Sequence, residues 1–569
     1  MRRALISAAC AVTTVTALAA PASAAPSPSQ GKGEVSEYVV LYKEGVSGRR
    51  AHQAVKEAGG KIVHENRDVG VATVRSKNPQ FIGAVMRERA LEGAAHNRII
   101  GKAPKPAKKK AAKVEETVGT TSAVSLTGKP SKDSEPLAGL QWDMKQIHAT
   151  EDGSYKKEPG DKRVLVGILD TGVDGDHPDV KPNFNRRLSR NFTRDIPTDG
   201  NGDELDGPCE FESCVDPADW DDNDHGTHVA STIASPRNGL GMAGVAPNVS
   251  LVNLRVGQDS GYFFLQPTVD GLTYAAKRGI DVVNMSYYVD PWLWNCGSNP
   301  ADSPQDQLEQ RTIIKATQRA LDFAHERGVT LVSAAGNDLV DYTKTNTDSG
   351  SPGFPSRPGE EPYERTVPPS CVSMPSEGDH VIPVSATGPS GRKSYYSSFG
   401  DGYVAVAAPG GDKVDTSDQR PDDRAGIWAA YPERLAKARG ELNADGTPKV
   451  PYVIRSCDGD DCAYYQSIQG TSMASPHAVG VAALIISKYG QRDRRHGGLT
   501  LSPRFVENKL RGTATAKPCP SPRKVEYVWY TQADGEWEKN TSTQTCEGSE
   551  RQNGFFGNGI VDALNAVAR

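Results

Sequence analysis

Three short segments that lie far apart in the chain contain the residue types needed for nucleophilic catalysis. Asp170 lies in ILDTGVD, His225 in DDNDHGTHVAST, and Ser472 in QGTSMASPHAVGVAALI. A carboxylate can orient an imidazole, the imidazole can take the proton of a hydroxyl, and nearby glycines let the backbone approach a substrate. Each motif alone is also explained by a turn, a structural histidine or a helix cap. The prediction of acyl chemistry therefore depends on all three occurring together.

Apolar, β-branched runs alternate with helical patterns over most of the chain. The strand-like runs are RVLVGILD, VSLVNLRV, IDVVNMSYY, GVTLVSAAGN and HVIPVSA, and the segments TVDGLTYAAKRG and TIIKATQRALDFAHERG have helical spacing. This alternation predicts an α/β fold with a parallel sheet that is buried on both faces. Functional residues of such a sheet lie in loops at the carboxyl ends of the strands, which is where Asp170 and Asn337 occur.

The order and the context of the motifs resemble one known family. Asp170, His225 and Ser472 follow the chain order of the subtilisin-like serine peptidases (subtilases, peptidase family S8), whereas chymotrypsin-like and α/β-hydrolase orders do not fit. The segments NGLGMAGVAP, VVNMS, VAVAAPGG and GFFGNGIVDALNAV also resemble subtilase segments. The resemblance covers approximately residues 137–569. It implies the subtilisin-like three-layer α/β fold with a mainly parallel central sheet, and serine endopeptidase activity.

The resemblance also implies a role for each residue of the candidate site. Ser472 would attack the peptide carbonyl, and His225 would act as general base and then as general acid. Asp170 would orient the imidazole. The side-chain amide of Asn337, in VSAAGND, and the backbone N–H of Ser472 would form the oxyanion hole.

The composition excludes some other classes of function. The chain has 569 residues, which suits two or three folding units, and its formal net charge is −5 with 24% charged residues. There is no basic excess of the kind that indicates a nucleic-acid partner. We expect polypeptide substrates, a monomer, and no need for an organic cofactor.

The first 24 residues predict a secretory signal peptide. Arg2 and Arg3 precede a short apolar stretch, and small residues at 22–24 suit cleavage before Ala25. Cys10 leaves a lipoprotein anchor as an alternative, and the arginine pair leaves a twin-arginine signal. No later segment offers enough consecutive apolar residues to span a bilayer, so we expect a secreted, extracellular protein with no membrane association after signal removal.

The chain between the signal peptide and the peptidase-like region divides into two parts. Residues 25–101 contain two strand patterns and two helix patterns, and resemble the ferredoxin-like inhibitory propeptide of subtilases. An N-terminal binding module is the alternative. Residues 102–136 begin with KAPKPAKKKAAK and predict an exposed linker. We expect the propeptide to inhibit the site until the chain processes itself between residues 101 and 137, which leaves a peptidase domain over 137–569.

Eight cysteines remain once Cys10 is removed with the signal peptide, and an even number in an exported chain favours disulfides. Sequence alone permits many pairings. Spacing favours Cys209–Cys214, Cys457–Cys462 and Cys519–Cys546, which leaves Cys296 with Cys371. Zinc is the alternative, but paired CxxC spacing is absent.

The subtilase resemblance also implies a structural calcium site. Asp179 and Asn238 occupy positions similar to calcium ligands, and the carbonyls of Pro236, Leu240 and Met242 could complete an oxygen cage. The segment TDGNGDELDG begins like a second calcium loop. It lacks a downstream bidentate glutamate, so we interpret it as a solvated acidic turn.

Several segments depart from the family pattern. Tyr287 and Tyr288 replace a frequent leucine and glycine, and Ser231 replaces a common glycine. Insertions over 187–220, 289–308, 339–375 and 412–465 predict surface loops, most of them held by disulfides and some bordering the cleft. These features leave a tripeptidyl or aminopeptidase-type exopeptidase as the alternative activity. A catalytically silent binding protein is a further alternative.

Overall fold

Two β-sheets of different size organise the molecule, one in an N-terminal unit and one in a C-terminal unit. The computed structural model describes residues 35–99, 134–355, 359–533 and 536–568. The predicted signal peptide and nearly all of the predicted linker therefore lie outside the described residues.

The N-terminal unit, residues 35–99, has the order βαββαβ. Its elements are β1 (Ser36–Tyr42), α1 (Gly48–Glu57), β2 (Gly60–Asn66), β3 (Val71–Ser76), α2 (Phe81–Val85) and β4 (Leu91–Ile99). The strand order is β2-β3-β1-β4, and every pairing is antiparallel. This is a ferredoxin-like arrangement, the fold that the resemblance to subtilase propeptides implies.

A seven-stranded sheet forms the centre of the C-terminal unit, residues 134–568. The strands of this unit are β5 (Leu165–Leu169), β6 (Arg190–Asn191), β7 (Ser250–Arg255), β8 (Val282–Met285), β9 (Thr330–Ala334), β10 (Asn346–Asp348), β11 (Arg365–Val367), β12 (Val381–Thr387), β13 (Val406–Pro409), β14 (Ile427–Tyr431), β15 (Val453–Asp458), β16 (Asp461–Ile468), β17 (Gln491–Arg492), β18 (Leu499–Thr500), β19 (Lys524–Ala533) and β20 (Glu536–Thr545). The central sheet has the order β13-β12-β9-β8-β5-β7-β6 with parallel pairings throughout. The predicted mainly parallel sheet is confirmed.

Helices cover both faces of this sheet because its inner strands are apolar on both sides. The helices are α3 (Trp142–Gln146), α4 (His225–Ala234), α5 (Leu265–Arg278), α6 (Pro304–His325), α7 (Glu433–Ala438), α8 (Thr471–Tyr489), α9 (Pro503–Thr513) and α10 (Ala563–Val567). One apolar cluster joins the sheet to α4 and α8, and another joins it to α5 and α6. Within the described part of the chain, no helix combines the length and apolar character needed to cross a bilayer.

The two units share an apolar core through strand β1. Tyr38 and Val40 lie in the core of the N-terminal unit. Val39 and Leu41, which alternate with them, belong to the cluster that contains Ile313 of α6. The small sheet is therefore covered by its own helices on one face and by α5 and α6 on the other.

Polar contacts surround this shared core. Asp270 of α5 lies 2.8 Å from the Nε2 atom of His64 and accepts a hydrogen bond of 2.7 Å from Asn66. Glu309 of α6 accepts a hydrogen bond of 3.0 Å from the backbone N–H of His96, and one of its oxygens lies 2.9 Å from the Nδ1 atom of that ring. The interface is thus held by both apolar packing and charged groups.

The predicted insertions contain more regular structure than expected. Residues 412–465 form most of a three-stranded antiparallel sheet, β14-β16-β15, together with α7. Helix α6 begins at Pro304, within the segment expected to be a loop, because the side chain of Ser303 caps it by accepting from the N–H of Asp306. All four predicted disulfides are confirmed: Cys209–Cys214, Cys296–Cys371, Cys457–Cys462 and Cys519–Cys546.

Candidate active site

The candidate residues meet at the carboxyl edge of the central sheet. Asp170 directly follows β5, and Asn337 follows β9 after a short turn. His225 is the first residue of α4, and Ser472 is the second residue of α8. His225, Asn337 and Ser472 line one cleft of about 1040 Å³. Neighbouring parallel strands end at this edge, so residues distant in sequence are brought together there.

Asp170 is fully buried and holds the imidazole of His225. Its Oδ1 atom lies 2.7 Å from the Nδ1 atom of His225 and also accepts a hydrogen bond of 2.8 Å from the N–H of Thr171. This contact fixes the orientation of the imidazole ring through Nδ1.

Ser472 lies in the first turn of the long helix α8 and is 5% exposed. Its hydroxyl is 3.5 Å from the carbonyl oxygen of Ser286, a residue that follows β8. The hydroxyl of Ser286 in turn donates to the carbonyl oxygen of Ser472 at 3.1 Å. At the start of α8 the N–H of Thr471 donates to Asn337 and that of Met473 to the carbonyl oxygen of Gly470. The N–H of Ser472 is therefore the group of this turn that can serve an anionic oxygen in the cleft.

The side chain of Asn337 is oriented by the residue before Ser472. Its Oδ1 atom accepts hydrogen bonds from the N–H and from the hydroxyl of Thr471, both at 2.9 Å. The hydroxyl of Thr471 also accepts from the N–H of Gly336 at 3.1 Å. Because the amide oxygen is engaged with Thr471, the amide NH₂ group lies on the other side of the Asn337 side chain.

Sequence reasoning missed Asp221, which anchors the segment before His225. Its Oδ1 atom accepts from the hydroxyl of Thr171 at 3.2 Å, and its Oδ2 atom accepts from the N–H and hydroxyl of Thr227 at 3.0 and 2.5 Å. These bonds tie the residue after Asp170 to the start of α4. The acidic run before HGTH was the available signal, but its spacing does not reveal the contact.

Gly226 allows α4 to approach the end of β5. A Cβ atom at this position would lie 2.0 Å from the carbonyl oxygen of Gly172. No side chain fits there without moving the backbone. The glycine that follows His225 in the motif is therefore required by the distance between these two elements.

Aromatic side chains and three of the four predicted insertions, 289–308, 339–375 and 412–465, border the cleft. The ring of Tyr287 stacks on that of Phe263 with centroids 4.2 Å apart, and the hydroxyl of Tyr262 donates to the carbonyl oxygen of Gly353 at 3.1 Å. The residues of this wall and of the 412–465 segment that line the cleft include Tyr262, Phe263, Tyr287, Tyr288, Arg439 and Tyr452. The cleft is therefore shaped by residues that depart from the family pattern.

Three other histidines are buried and bonded elsewhere. Burial lowers the pKa of His228 to about 3 and that of His177 to about 4, so both rings are neutral near pH 7. The Nε2 atom of each lies 3.0 Å from a backbone carbonyl oxygen. The ring of His477 lies between Asp143 and the carbonyl oxygen of Met473. These contacts give all three rings structural roles.

The residues of the predicted calcium site lie together but bond to one another. Asp179 accepts from the amide of Asn238 and from the N–H of Met242, both at 3.1 Å, and from the hydroxyl of Tyr465 at 3.0 Å. The Oδ1 atom of Asn238 accepts from the N–H of Leu240 at 2.9 Å. Donors therefore occupy the oxygens that a cation would need, so this arrangement does not fit a bound ion. Calcium at this position stays a prediction.

Comparisons with known proteins agree with this arrangement. A family model described as the subtilase family, peptidase S8, matches residues 161–559. Subtilisin DY from Bacillus licheniformis is 30% identical over 356 residues, which are 62% of this chain and 84% of that protein. An extracellular protease from Xanthomonas campestris pv. campestris is 27% identical over 517 residues, or 85% of this chain and 69% of that protein.

Solved structures with a similar fold also extend over both units. An epidermin leader peptide-processing serine protease (EpiP) from Staphylococcus aureus has a TM-score of 0.58 at 21% identity, covering 94% of this chain and 98% of that chain. Fervidolysin from Fervidobacterium pennivorans has a TM-score of 0.53 at 19% identity, covering 95% of this chain and 62% of that chain. At these identities the similarity establishes the fold alone.

Proposed function

The chain belongs to the subtilase family of serine-type peptidases, and from this premise we propose that it is a secreted endopeptidase that uses Asp170, His225 and Ser472 as its triad. The observation that carries the proposal is the 2.7 Å contact between Asp170 and His225, in a protein whose Ser472 lines the same cleft as His225. The substrates are polypeptides, and the reaction needs no organic cofactor.

The first half of the reaction forms an acyl-enzyme. The hydroxyl oxygen of Ser472 attacks the peptide carbonyl carbon while Nε2 of His225 takes the hydroxyl proton. Asp170, bonded to Nδ1, stabilises the imidazolium that results. The imidazolium then gives its proton to the leaving amine, and the C–N bond breaks.

The oxyanion of the tetrahedral intermediate is stabilised by two donors. One is the amide NH₂ of Asn337, and the other is the backbone N–H of Ser472. The amide is oriented because its Oδ1 atom accepts a hydrogen bond from the N–H of Thr471. Donors that are fixed before the reaction stabilise the charge without reorganising as it develops. Water then repeats the two proton transfers and releases the acyl group.

The protein is made as a zymogen in this proposal. Residues 25–101 act as an intramolecular inhibitor, and the chain processes itself between residues 101 and 137. Support comes from the interface of the N-terminal unit with α5 and α6, which surrounds a shared apolar core. There Asp270 accepts a hydrogen bond from Asn66, and Glu309 accepts one from the N–H of His96. An interface that combines an apolar core with hydrogen bonds can hold the N-terminal unit in place without the linker.

Intact-mass analysis of the secreted protein tests catalysis and processing together. We expect the parent protein to begin between residues 101 and 137, and Ser472→Ala to keep its N-terminal unit attached. Ser487→Ala is the matched control, because Ser487 lies in the same helix and its hydroxyl bonds to Ala483 and Asp161, both outside the cleft. A parent N-terminus upstream of residue 101, or normal processing in Ser472→Ala, would contradict the proposal.

An exopeptidase is the alternative that the aromatic wall favours. Tyr287 and Tyr288 line the cleft, and closing one end of it would restrict cleavage to chain termini. A long peptide with a free or a blocked amino terminus distinguishes the two activities. We expect internal cleavage at similar rates for both peptides, whereas an aminopeptidase would release short products from the free terminus only.

A further inference from the structure

A second group of carboxylates lies beside the segment that leads to His225. We call Asp195, Glu210, Asp216, Asp222 and Asp259 the acidic cluster. One oxygen from each of Asp195, Glu210 and Asp259 lies within 4.8 Å of the other two, and the same holds for Glu210, Asp216 and Asp222. Four of these residues lie between β6 and α4, and Asp259 follows β7, so the cluster joins two separate segments of the chain.

Ion pairs neutralise only part of the charge of the acidic cluster. The fully buried guanidinium of Arg255 donates to Oδ2 of Asp216 at 2.5 Å and also pairs with Oδ1 of Asp259. Arg434 pairs with Asp222. The described contacts thus set two guanidinium groups against five carboxylates.

The oxygens that face away from Arg255 have no donor. Oδ1 of Asp216 and Oδ2 of Asp259 are buried without a hydrogen-bond partner among the described residues. Both oxygens of Asp195 are in the same condition, and Asp195 is only 5% exposed. Leaving a buried carboxylate without partners is strongly unfavourable. Burial raises the pKa of Asp195 to about 7, and the charge of Asp216 adds to that shift.

A neighbouring carboxylate shows that the same loops can satisfy an acidic group. Asp206 accepts from the N–H of Ile196 at 2.6 Å and from the N–H and hydroxyl of Ser260 at 3.1 and 2.7 Å. Ile196 and Ser260 each directly follow a residue of the acidic cluster. The unpartnered oxygens are therefore specific to the cluster and are not a general property of these loops.

We propose that Asp195, Glu210 and Asp259 bind a calcium ion that the sequence pattern does not indicate. Calcium takes oxygen ligands at about 2.3–2.6 Å, so one ion can contact oxygens on opposite sides of it that are separated by up to nearly twice that distance. Magnesium requires shorter bonds and near-ideal octahedral geometry, which suits this spread of oxygens less well. Glu210 is exposed and closes the site from the solvent side.

The bound ion stabilises one wall of the cleft. It links the loop closed by Cys209–Cys214 to the segment after β7, and the residues that follow Asp259, Ser260 to Phe263, line the cleft. The amide of Asn223, two residues before His225, also donates to the carbonyl oxygen of Asp259 at 2.7 Å. The ion thus acts on the stability of these segments, without contact with the reacting atoms.

Calcium binding to the full chain, in a Ser472→Ala background that prevents self-digestion, tests the proposal. The protein is stripped with a chelator and titrated with calcium chloride while heat release and thermal midpoint are measured. We expect Asp195→Asn to bind one calcium ion fewer per chain than its parent. Glu210→Gln, a change at an exposed residue that does not threaten folding, weakens binding at least about tenfold.

The thermal midpoint gives a second readout with opposite signs. Asp195→Asn removes repulsion, so without calcium it melts at a higher temperature than its parent. In saturating calcium it melts at a lower temperature, because it has lost the ion. Glu212→Gln is the control, since Glu212 is exposed, lies in the same disulfide loop and loses the same charge. Asp179→Asn shows how much of the measured binding comes from an ion at the other predicted calcium site, that of Asp179 and Asn238.

Two outcomes overturn the proposal. In the first, Asp195→Asn and Glu210→Gln bind calcium with the stoichiometry and affinity of their parent. In the second, Asp195→Asn melts above its parent both with and without calcium, which would mean that the cluster repels itself and holds no ion.

Discussion

The catalytic cleft and the acidic cluster lie on either side of the short segment before His225, and they differ in the partners given to their buried carboxylates. In the cleft, Asp170 faces an imidazole, whose charge changes when a proton moves. In the cluster, Asp216 and Asp259 face Arg255, whose charge does not change. We propose that the first arrangement serves chemistry and the second serves stability. Variants in the two regions should therefore affect different measurements.

The largest expected effect is on turnover in the cleft. Ser472→Ala should lower kcat about 10⁶-fold, the loss that this change causes in subtilisin itself. Calcium stoichiometry should stay that of the parent, as measured by titration calorimetry. A changed calcium stoichiometry would show that the two regions are not independent.

Asp170→Asn should have the next largest effect. The amide cannot stabilise the imidazolium and favours the wrong tautomer of His225, so kcat should fall about 10⁴-fold. Steady-state kinetics on a peptide substrate measure this loss, with Asp152→Asn at an exposed carboxylate as the control. A loss below tenfold would mean that Asp170 only supports the fold.

Asn337→Ala should separate transition-state stabilisation from substrate binding. Loss of the amide donor should lower kcat about 10²–10³-fold, as in subtilisin, and leave KM nearly unchanged. The space left by the missing Asn337 side chain lies in the cleft, so the thermal midpoint should change only slightly. A rise in KM with unchanged kcat would instead assign Asn337 to ground-state binding.

The smallest expected effect compares two disulfides that close loops of equal length. Cys209–Cys214 and Cys457–Cys462 both have a sequence separation of 5. Replacing either pair with serine should lower the free energy of unfolding by about 2 kcal/mol, because loops of this length lose similar entropy when closed. Only the first replacement should also weaken calcium binding, since that loop carries Glu210. Equal calcium affinity in both variants would show that the Cys209–Cys214 loop does not contribute to the proposed site.

Structure and candidate site could best be predicted from the sequence where one short segment contains both a strand or helix and a candidate catalytic residue. RVLVGILD is at once a buried strand and the carrier of Asp170, and the start of α8 contains Ser472. The parallel sheet and the residues at its carboxyl edge could be predicted for this reason. The disulfides were predicted from the spacing of the cysteines, and Cys296–Cys371 was the pair left over. The roles of Asp170, His225, Ser472 and Asn337 stay predictions until the variants are measured.

The acidic cluster could not be predicted because no local spacing describes it. Asp195 and Asp259 lie on different sides of α4 and β7 in the sequence, and only the tertiary course of the insertion brings their oxygens within 4.8 Å. Asp221 was missed for a similar reason, since its partners Thr171 and Thr227 lie in two segments that are far apart in the sequence. We expected surface loops where β14, β15 and β16 form a sheet, because the segment that contains them is rich in glycine, proline and polar residues between the strands.

Strand β1, with one row of side chains in each of two cores, has a consequence for what happens after the linker is cut. If the N-terminal unit separated, Val39, Leu41 and Val71 would form an exposed aliphatic stripe on one face of its sheet. In the proposed zymogen, exposing this stripe to water opposes dissociation, so cutting the linker and releasing the N-terminal unit are two events with different rates. We expect a delay between the appearance of the new terminus and the onset of proteolysis, and a short lifetime for the discarded piece once the enzyme can digest it.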